Sequence, residues 1–445
     1  MRDIKPAERS AVQEPYPKPL YAWSVVILLL LIYTHSFIDR QIMALLAAPI
    51  QADLGVSDAG FGLLTGTAFG LFYTFFGIPL ARVADRASRT KLIAAGITLW
   101  SLMTTACGLA RGFPALFLAR LGVGVGEAAL TPAANSMIAD YFPPHRRARA
   151  VAVYTLGIPI GSALAFLFGA VVIGFATSLG EAPLPLVGQV RGWQITFFLV
   201  GLPGLVFALL MLFVREPLRR GLAMAPGQRV SLVRTLGYFA SQWRIYVLSF
   251  LGISLQSAIG YSTAYFIILF MGRMWDIPAA QAGFIFGMTL LTAGVGGMLL
   301  AGWLTDRWVG QGKFDAHVRM ILISSAGILP FLLIFPLMPT AAAGVPFLVG
   351  AIFFSNMLWG TAYAGVAGVS PNEMRGQSTA VYLFIVNFFG LVVAPPVFGL
   401  LSDSFGIDKA FMILGIVACP LSIVLLLAAR PAFARQFAAI NGQAV

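Results

Sequence analysis

Charge is scarce in this sequence. Only 10% of its 445 residues are Asp, Glu, Lys or Arg, against 59% hydrophobic, and the mean hydropathy is +0.87. So few polar groups cannot cover a soluble globule, and the chain reads as a polytopic membrane protein. Cysteine is nearly absent. Cys107 and Cys419 lie in apolar segments without CxxC spacing, which excludes a disulfide framework and leaves them as small core residues. No HExxH, nucleophile elbow or phosphate loop occurs, so nothing prepares an enzyme, and no metal or cofactor is expected. The cluster Gly122, Gly124 and Gly126 follows no strand and sits inside an apolar run, where close helix approach explains it better than a dinucleotide loop. The first twenty residues carry Arg2, Lys5, Arg9 and Lys18 but no short apolar run ending in a cleavage site. A retained first span after a cytoplasmic tail is expected. The net charge of +12 does not imply nucleic acid, because the excess falls in short loops.

What the sequence has in abundance is helix-length apolar runs. A span needs about 20 such residues, and twelve runs qualify, at roughly 22–49, 58–81, 90–110, 114–139, 148–177, 192–214, 244–270, 279–304, 318–338, 344–369, 375–401 and 409–430. Arg and Lys crowd alternate loops, from Arg82, Arg86, Arg89 and Lys91 through Arg146, Arg147 and Arg149 to Arg307, Lys313 and Arg375; the opposite loops hold Arg111, Arg191, Arg273 and Lys409. That asymmetry places both termini in the cytoplasm. The expected organisation is a tail at 1–20, a six-helix bundle at 21–214, a basic linker at 215–243, a second bundle at 244–430 and a tail at 431–445. Trp23, Trp193 and Trp275 read as interfacial belt residues.

The two sixes look like copies. Asp53-Leu54 and Ala59-Gly60-Phe61 recur as Asp276-Ile277 and Ala282-Gly283-Phe284, and Asp85-Arg86 recurs as Asp306-Arg307. Repeated halves around a central pathway are a transporter design. The segment from Ala81 to Lys91, ARVADRASRTK, resembles the loop signature of the major facilitator superfamily, and Gly302 to Arg307 its second copy. Arg120 to Ala128 and Gly157-Ile158-Pro159-Ile160-Gly161 are similar to its motifs of spans four and five. Phe37-Ile38-Asp39-Arg40-Gln41, with Gly124 to Ala128 and Ile138 to Phe142, resembles the Spinster family. The resemblance implies an all-α fold of twelve transmembrane helices in two pseudo-symmetric six-helix bundles, a functional monomer, and an amphipathic anionic cargo such as lysophospholipid or sphingosine phosphate. It also implies cytoplasmic gating by Asp85, Arg86 and Arg89, with Asp85 capping span eleven near Gly376. By pseudo-symmetry, Asp306 and Arg307 would do the same near Arg149.

Four charges lie inside the spans: Asp39, Arg40, Arg120 and Glu127. An ionised group at bilayer depth costs at least about 2.5 kcal/mol, so such residues line a pathway or pair with one another. At 1.5 Å per residue, Asp39 lies about 21 Å from the inner edge of span one, while Arg120 and Glu127 lie about 9 and 20 Å from the outer edge of span four. Arg40 and Arg120 are the anion-binding candidates, since a guanidinium fork suits phosphate or carboxylate. Asp39 and Glu127 are the proton-coupling candidates, because burial and neighbouring Arg pull a carboxylate in opposite directions. The competing reading is a purely structural network, Asp39 with Arg120 and Glu127 with Arg40. His35 reads as a lone packing residue rather than a proton relay.

Spans seven to twelve carry charge only at their ends. The repeat lays Ser262 and Thr263 where the first half has Asp39 and Arg40; Tyr261, Asn356 and Trp359 complete the candidate substrate wall. Charge on one wall and aromatic or hydroxyl groups on the other suit an anionic head with an apolar body, moved by a proton-coupled carrier working by alternating access. An organic-anion or drug carrier is the alternative, and a membrane sensor or enzyme the least favoured. A bacterial inner membrane is the expected location.

Overall fold

The computed structural model describes residues 15–178, 182–184, 188–220 and 231–441. Most of the expected N-terminal tail and the middle of the linker lie outside these residues. The described chain is helical apart from a small hairpin, Ala182–Leu184 against Gly188–Val190. Twelve long helical runs stand out among the described residues. The first six are α1 Pro19–Leu45, α2 Asp58–Arg86, α3 Arg89–Cys107, α4 Phe113–Tyr141, α5 Pro144–Ala176 and α6 Gly192–Leu212. The second six are α7 Trp243–Trp275, α8 Ala279–Gly310, α9 Ala316–Leu337, α10 Ala341–Val369, α11 Arg375–Phe405 and α12 Ile407–Asn441. Eleven are long and apolar enough to cross a membrane; α3, with Arg89, Lys91 and five Ser or Thr hydroxyls diluting its apolar run, is the exception.

Local chemistry sets the ends. Proline opens α1, α4 and α5, where its missing N–H has no helical partner to lose. Ser57 and Ser88 cap α2 and α3 through their hydroxyls. Two expectations shift. The linker contains a further helix, Leu232–Ser241, and α12 runs on to Asn441, well beyond the apolar residues that defined its span. Trp193 and Trp275 are not lipid-facing belt residues but buried anchors, whose indole N–H groups donate to Asp53 (2.7 Å) and to the Met338 carbonyl (2.9 Å).

The two sets of six meet along α2 with α11 and α5 with α8. These seams are tight at the end where α1 joins α2, called here the α1–α2 face. A Cβ on Gly66 of α2 would stand 2.6 Å from the Leu391 carbonyl oxygen of α11, and Gly62 and Gly399 leave still less room. Across the other seam, the rings of Phe166 and Phe286 meet edge-on at 4.8 Å. Towards the α2–α3 face the helices part. Gly77 of α2 and Gly376 of α11 have nothing within 4 Å of the same position. Both α2 and α11 pass through a π-helical turn where they touch, Leu63–Ala68 and Phe388–Val393, and α8 has its own at Leu290–Gly294. Such turns are frequent at functional sites, and here two of them lie on the seam between the two sets.

Candidate substrate and proton site

The four intramembrane charges form one cluster. Close approach of α2 and α3 to α4 makes it possible: a Cβ on Gly124 would strike the Phe69 carbonyl of α2, and one on Gly126 would stand 2.7 Å from the Gly96 carbonyl oxygen of α3. Arg120 pairs with Asp39 at 3.5 Å, both fully buried, and Arg40 donates through Nε to Glu127 at 2.6 Å. Thr104 of α3 also donates to Asp39, and Ser36 to Glu127 at 2.8 Å. The guanidinium of Arg40 is enclosed by the rings of Phe37, Phe69 and Tyr73 at 4.7, 4.7 and 4.4 Å, a cage that offsets part of its desolvation.

This is the pairing anticipated for a structural network, but the network is incomplete. Nε and Nη2 of Arg120 and Oε1 of Glu127 are buried with no hydrogen-bond partner among the described residues. A purely structural network has every reason to satisfy such groups, because an unpaired buried donor costs about 1–3 kcal/mol, more when charged. The unpaired atoms are donors able to bind an anion and a carboxylate oxygen able to accept a proton.

The facing wall comes from α7 and its neighbours. Tyr261 donates to Asn387 at 3.3 Å and packs edge-on against Trp359 at 5.7 Å. Ser262 and Thr263 are buried, and the Ser262 hydroxyl has no partner. Asn356 turns elsewhere: its amide bonds back to the Ile352 carbonyl at 2.9 Å and lies beside Gly294 of α8. His35 is engaged by α6, through the Val200 carbonyl at 2.9 Å, rather than by Asp39.

The gating residues divide. Asp85, Arg86, Asp306 and Arg307 are exposed, and the Asp85 carboxylate makes no bond to α11; Arg219 instead grips the carbonyls of Ala84, Asp85 and Ala87. Arg307 lies over the Trp303 ring. Arg89 does not face the second six helices at all. It is fully buried and bound to Asp140, to Glu216 at 2.6 Å and to the Pro217 carbonyl at 2.8 Å, which straps the segment after α6 onto α3 and α4. Its position next to exposed loop residues in sequence gave no sign of this burial.

Burial opposes the charge on Glu216, but the Thr90 N–H, Arg89 and Ser88 outweigh it and hold the carboxyl below its ordinary value of 4.5. A depressed carboxylate contributes stability above its unfolded value and loses it as pH falls through the folded one. Amide protection at 213–220, taken relative to the intrinsic exchange rate at each pH, should therefore be equal at pH 7 and pH 5 and fall only under stronger acid, whereas Glu216→Gln should lower it at neutral pH. Equal protection in that variant would remove Glu216 from the strap.

A second set of residues, at the α1–α2 face, escaped sequence reasoning. Asp403, at the end of α11, accepts from the N–H groups of Asp58 and Ala59 at the start of α2, each at 2.9 Å. The Asp58 carboxylate accepts from Arg273 of α7 at 2.6 and 2.8 Å, from Ser402 at 2.5 Å and from Gln51 at 2.7 Å. This clasp joins the two sets of helices with the geometry expected of Asp85 and α11, but at the opposite end and with the roles of α2 and α11 exchanged. Arg273 was one of few basic residues in its set of loops, and that was the available signal.

A profile of the Major Facilitator Superfamily matches residues 29–390. An MFS-type efflux pump of Mycolicibacterium smegmatis is 30% identical over 403 residues, which are 89% of this chain and 88% of its own. A D-galactonate transporter of Escherichia coli is 26% identical, covering 86% of this chain and 89% of its own. The crystal structure of a bacterial homologue of the human lysosomal transporter Spinster, inward-facing and unoccupied, matches with a TM-score of 0.80 at 26% identity, over 96% of this chain and 99% of that one. Helices of spanning length, seams tight at one end and open at the other, buried charges between them and a superfamily match over most of the chain agree: this chain belongs to the Major Facilitator Superfamily, as a multi-pass membrane transporter of Spinster-like type and not an enzyme.

Proposed function

We propose that this transporter carries a single-chain anionic lipid, of the lysophospholipid or sphingosine phosphate kind, together with a proton by alternating access. The observation that carries the reading is the one-sided site. Two arginines with unpaired donors stand on α1 and α4, and an aromatic and hydroxyl wall without charge stands on α7 and α10. Protonation of Glu127 would release Arg40 from its 2.6 Å pair, and the anionic head would then take the carboxylate's place on Arg40 and the free donors of Arg120. Asp39 stays charged against Arg120 and Thr104 in this scheme and orients the guanidinium. Aromatic surface from Tyr261 and Trp359 meets the apolar body.

In this reading α3 is the twelfth span, the helices form two pseudo-symmetric bundles joined by the basic linker, and a monomer transports. Both termini lie in the cytoplasm of a bacterial cell, as the loop charges require, so the α1–α2 face is external and the clasp of Asp58, Arg273 and Asp403 is an outer gate. Asp85 and Arg86, with Asp306 and Arg307, would close the inner side when the clasp opens. A second reading, a carrier of small organic anions or drugs, is favoured by the D-galactonate and efflux transporters among the relatives.

Uptake into proteoliposomes of a lysophospholipid and of galactonate, with and without an imposed pH gradient, separates the two. Flux of the lysolipid that rises with chain length and with the gradient supports the first reading, and galactonate flux alone rejects it. Glu127→Gln should remove the response to the gradient, with residual downhill flux no longer dependent on pH; retained coupling would move the proton to Asp39.

A further inference from the structure

Where α1, α7 and α8 approach the α1–α2 face, the structure contains a cavity of about 470 Å³ whose lining includes none of the four central charges. Its size falls within the range of about 300–1,000 Å³ typical of small-molecule sites. Leu45 of α1 and Ala48 of the short helix that follows it, Ala47–Leu54, form one wall, Ile268 and Leu269 of α7 the other, so the cavity straddles the two sets of helices. Every lining residue is aliphatic or glycine except Gln51 and Arg273. Those two are also members of the clasp: Arg273 donates to Asp58 and, at 3.0 Å, to Gln51, which in turn donates to Asp58. The cavity therefore combines an aliphatic trough with a guanidinium that also holds the gate shut.

We propose that this cavity is a second binding site, for a single-chain anionic amphiphile, with the chain between α1 and α7 and the head on Arg273 in competition with Asp58. The charge argument is direct. The side chain of Arg273 is 43% exposed, and its Nε has no hydrogen-bond partner among the described residues, so an arriving anion meets a free donor before it meets the carboxylate. A phosphate or carboxylate head reproduces the bidentate pairing that Asp58 now supplies. Occupancy thus removes the α7 arm of the clasp and leaves the α11 arm, Asp403 and Ser402 on α2, in place. Ligand on the outer side then weakens the gate that it must pass or has just passed. Such an effect is a differential affinity for the two gate states, which is what a ligand needs to shift their balance.

The choice of probe rests on the amphipathic-anion reading, but the experiment does not depend on transport. Dodecyl phosphate binding is measured on the full chain in phosphatidylcholine nanodiscs, with the central pair neutralised as Asp39→Asn/Arg120→Gln. Binding should persist there and weaken at least tenfold on adding Gly272→Leu, which fills the trough, or Arg273→Gln, which removes the head partner. A Cβ on Gly272 meets nothing nearer than the Ile277 carbonyl oxygen at 3.7 Å, so the filled variant should fold. Gly272→Ala, too small to fill the trough, should bind nearly as well. Inorganic phosphate and dodecanol should each fail to compete. Binding unchanged by both Gly272→Leu and Arg273→Gln, equal competition by inorganic phosphate, or loss of binding in phosphatidylglycerol nanodiscs would each overturn the site, the last by assigning it to bilayer lipid. Failure of lysolipid uptake by the unaltered protein would count against the central reading alone.

Discussion

Arg120→Gln should destabilise the transporter by about 3–5 kcal/mol, because it leaves the fully buried Asp39 without its ionic partner. Adding Asp39→Asn should recover most of that loss, since two neutral amides of similar shape fill the same space and no charge remains unpaired. Transport should behave differently. The double variant folds, and the lipid-anion reading expects it to carry nothing, because the free Nε and Nη2 donors of Arg120 are gone. Thermal unfolding of the purified variants and uptake into proteoliposomes give the two readouts side by side. If stability and transport return together, the pair is a helix-to-helix fastener and the anion site must be sought elsewhere. The same logic applied to Arg40 and Glu127 gives a weaker contrast, because the aromatic cage of Phe37, Phe69 and Tyr73 stays in place around whatever replaces Arg40.

Gly66→Leu should hold the α1–α2 face open. Its Cβ would lie 2.6 Å from the Leu391 carbonyl oxygen and 2.9 Å from the Pro395 ring, and backbone at a close-packed seam cannot yield as a flexible side chain would. Overpacking typically costs about 1–3 kcal/mol. Charged only to the state in which α2 and α11 touch, that cost lowers the population of this state relative to the other by about fivefold to 150-fold, since 1.4 kcal/mol is a factor of ten. Spin labels on the exposed Ala52 and Ser404 report the separation directly. We expect a longer distance and a loss of flux in Gly66→Leu, with no lengthening in Gly77→Leu, where the same helix has open space. An unchanged distance in Gly66→Leu would mean that the seam is not part of the moving surface.

Some of this site was legible in the sequence because its cost is visible there. A charged residue within an apolar run is conspicuous, and Asp39, Arg40, Arg120 and Glu127 were found in that way. The contrast between the two walls was legible for the same reason, through the repeat that lays Ser262 and Thr263 over Asp39 and Arg40. The strap of Arg89, Asp140 and Glu216 was not. Its members sit at span ends, where charged residues are ordinary, and only the path of the chain after α6 brings Glu216 back to α3. Asp58 and Asp403 are hidden likewise: each reads as a loop residue until the other is placed against it.

Composition and pattern alone were enough for the membrane setting, the helical class and the identity of the buried charges, because each follows from the cost of putting polar groups into hydrocarbon. Partnership is another matter. Which arginine meets which carboxylate, which donors stay free, and which end of the molecule is clasped depend on approaches between helices hundreds of residues apart in sequence, such as Asp58 with Asp403. Hydrogen bonds act over about 3 Å, so such facts exist only once the packing of glycine against backbone has brought those helices together.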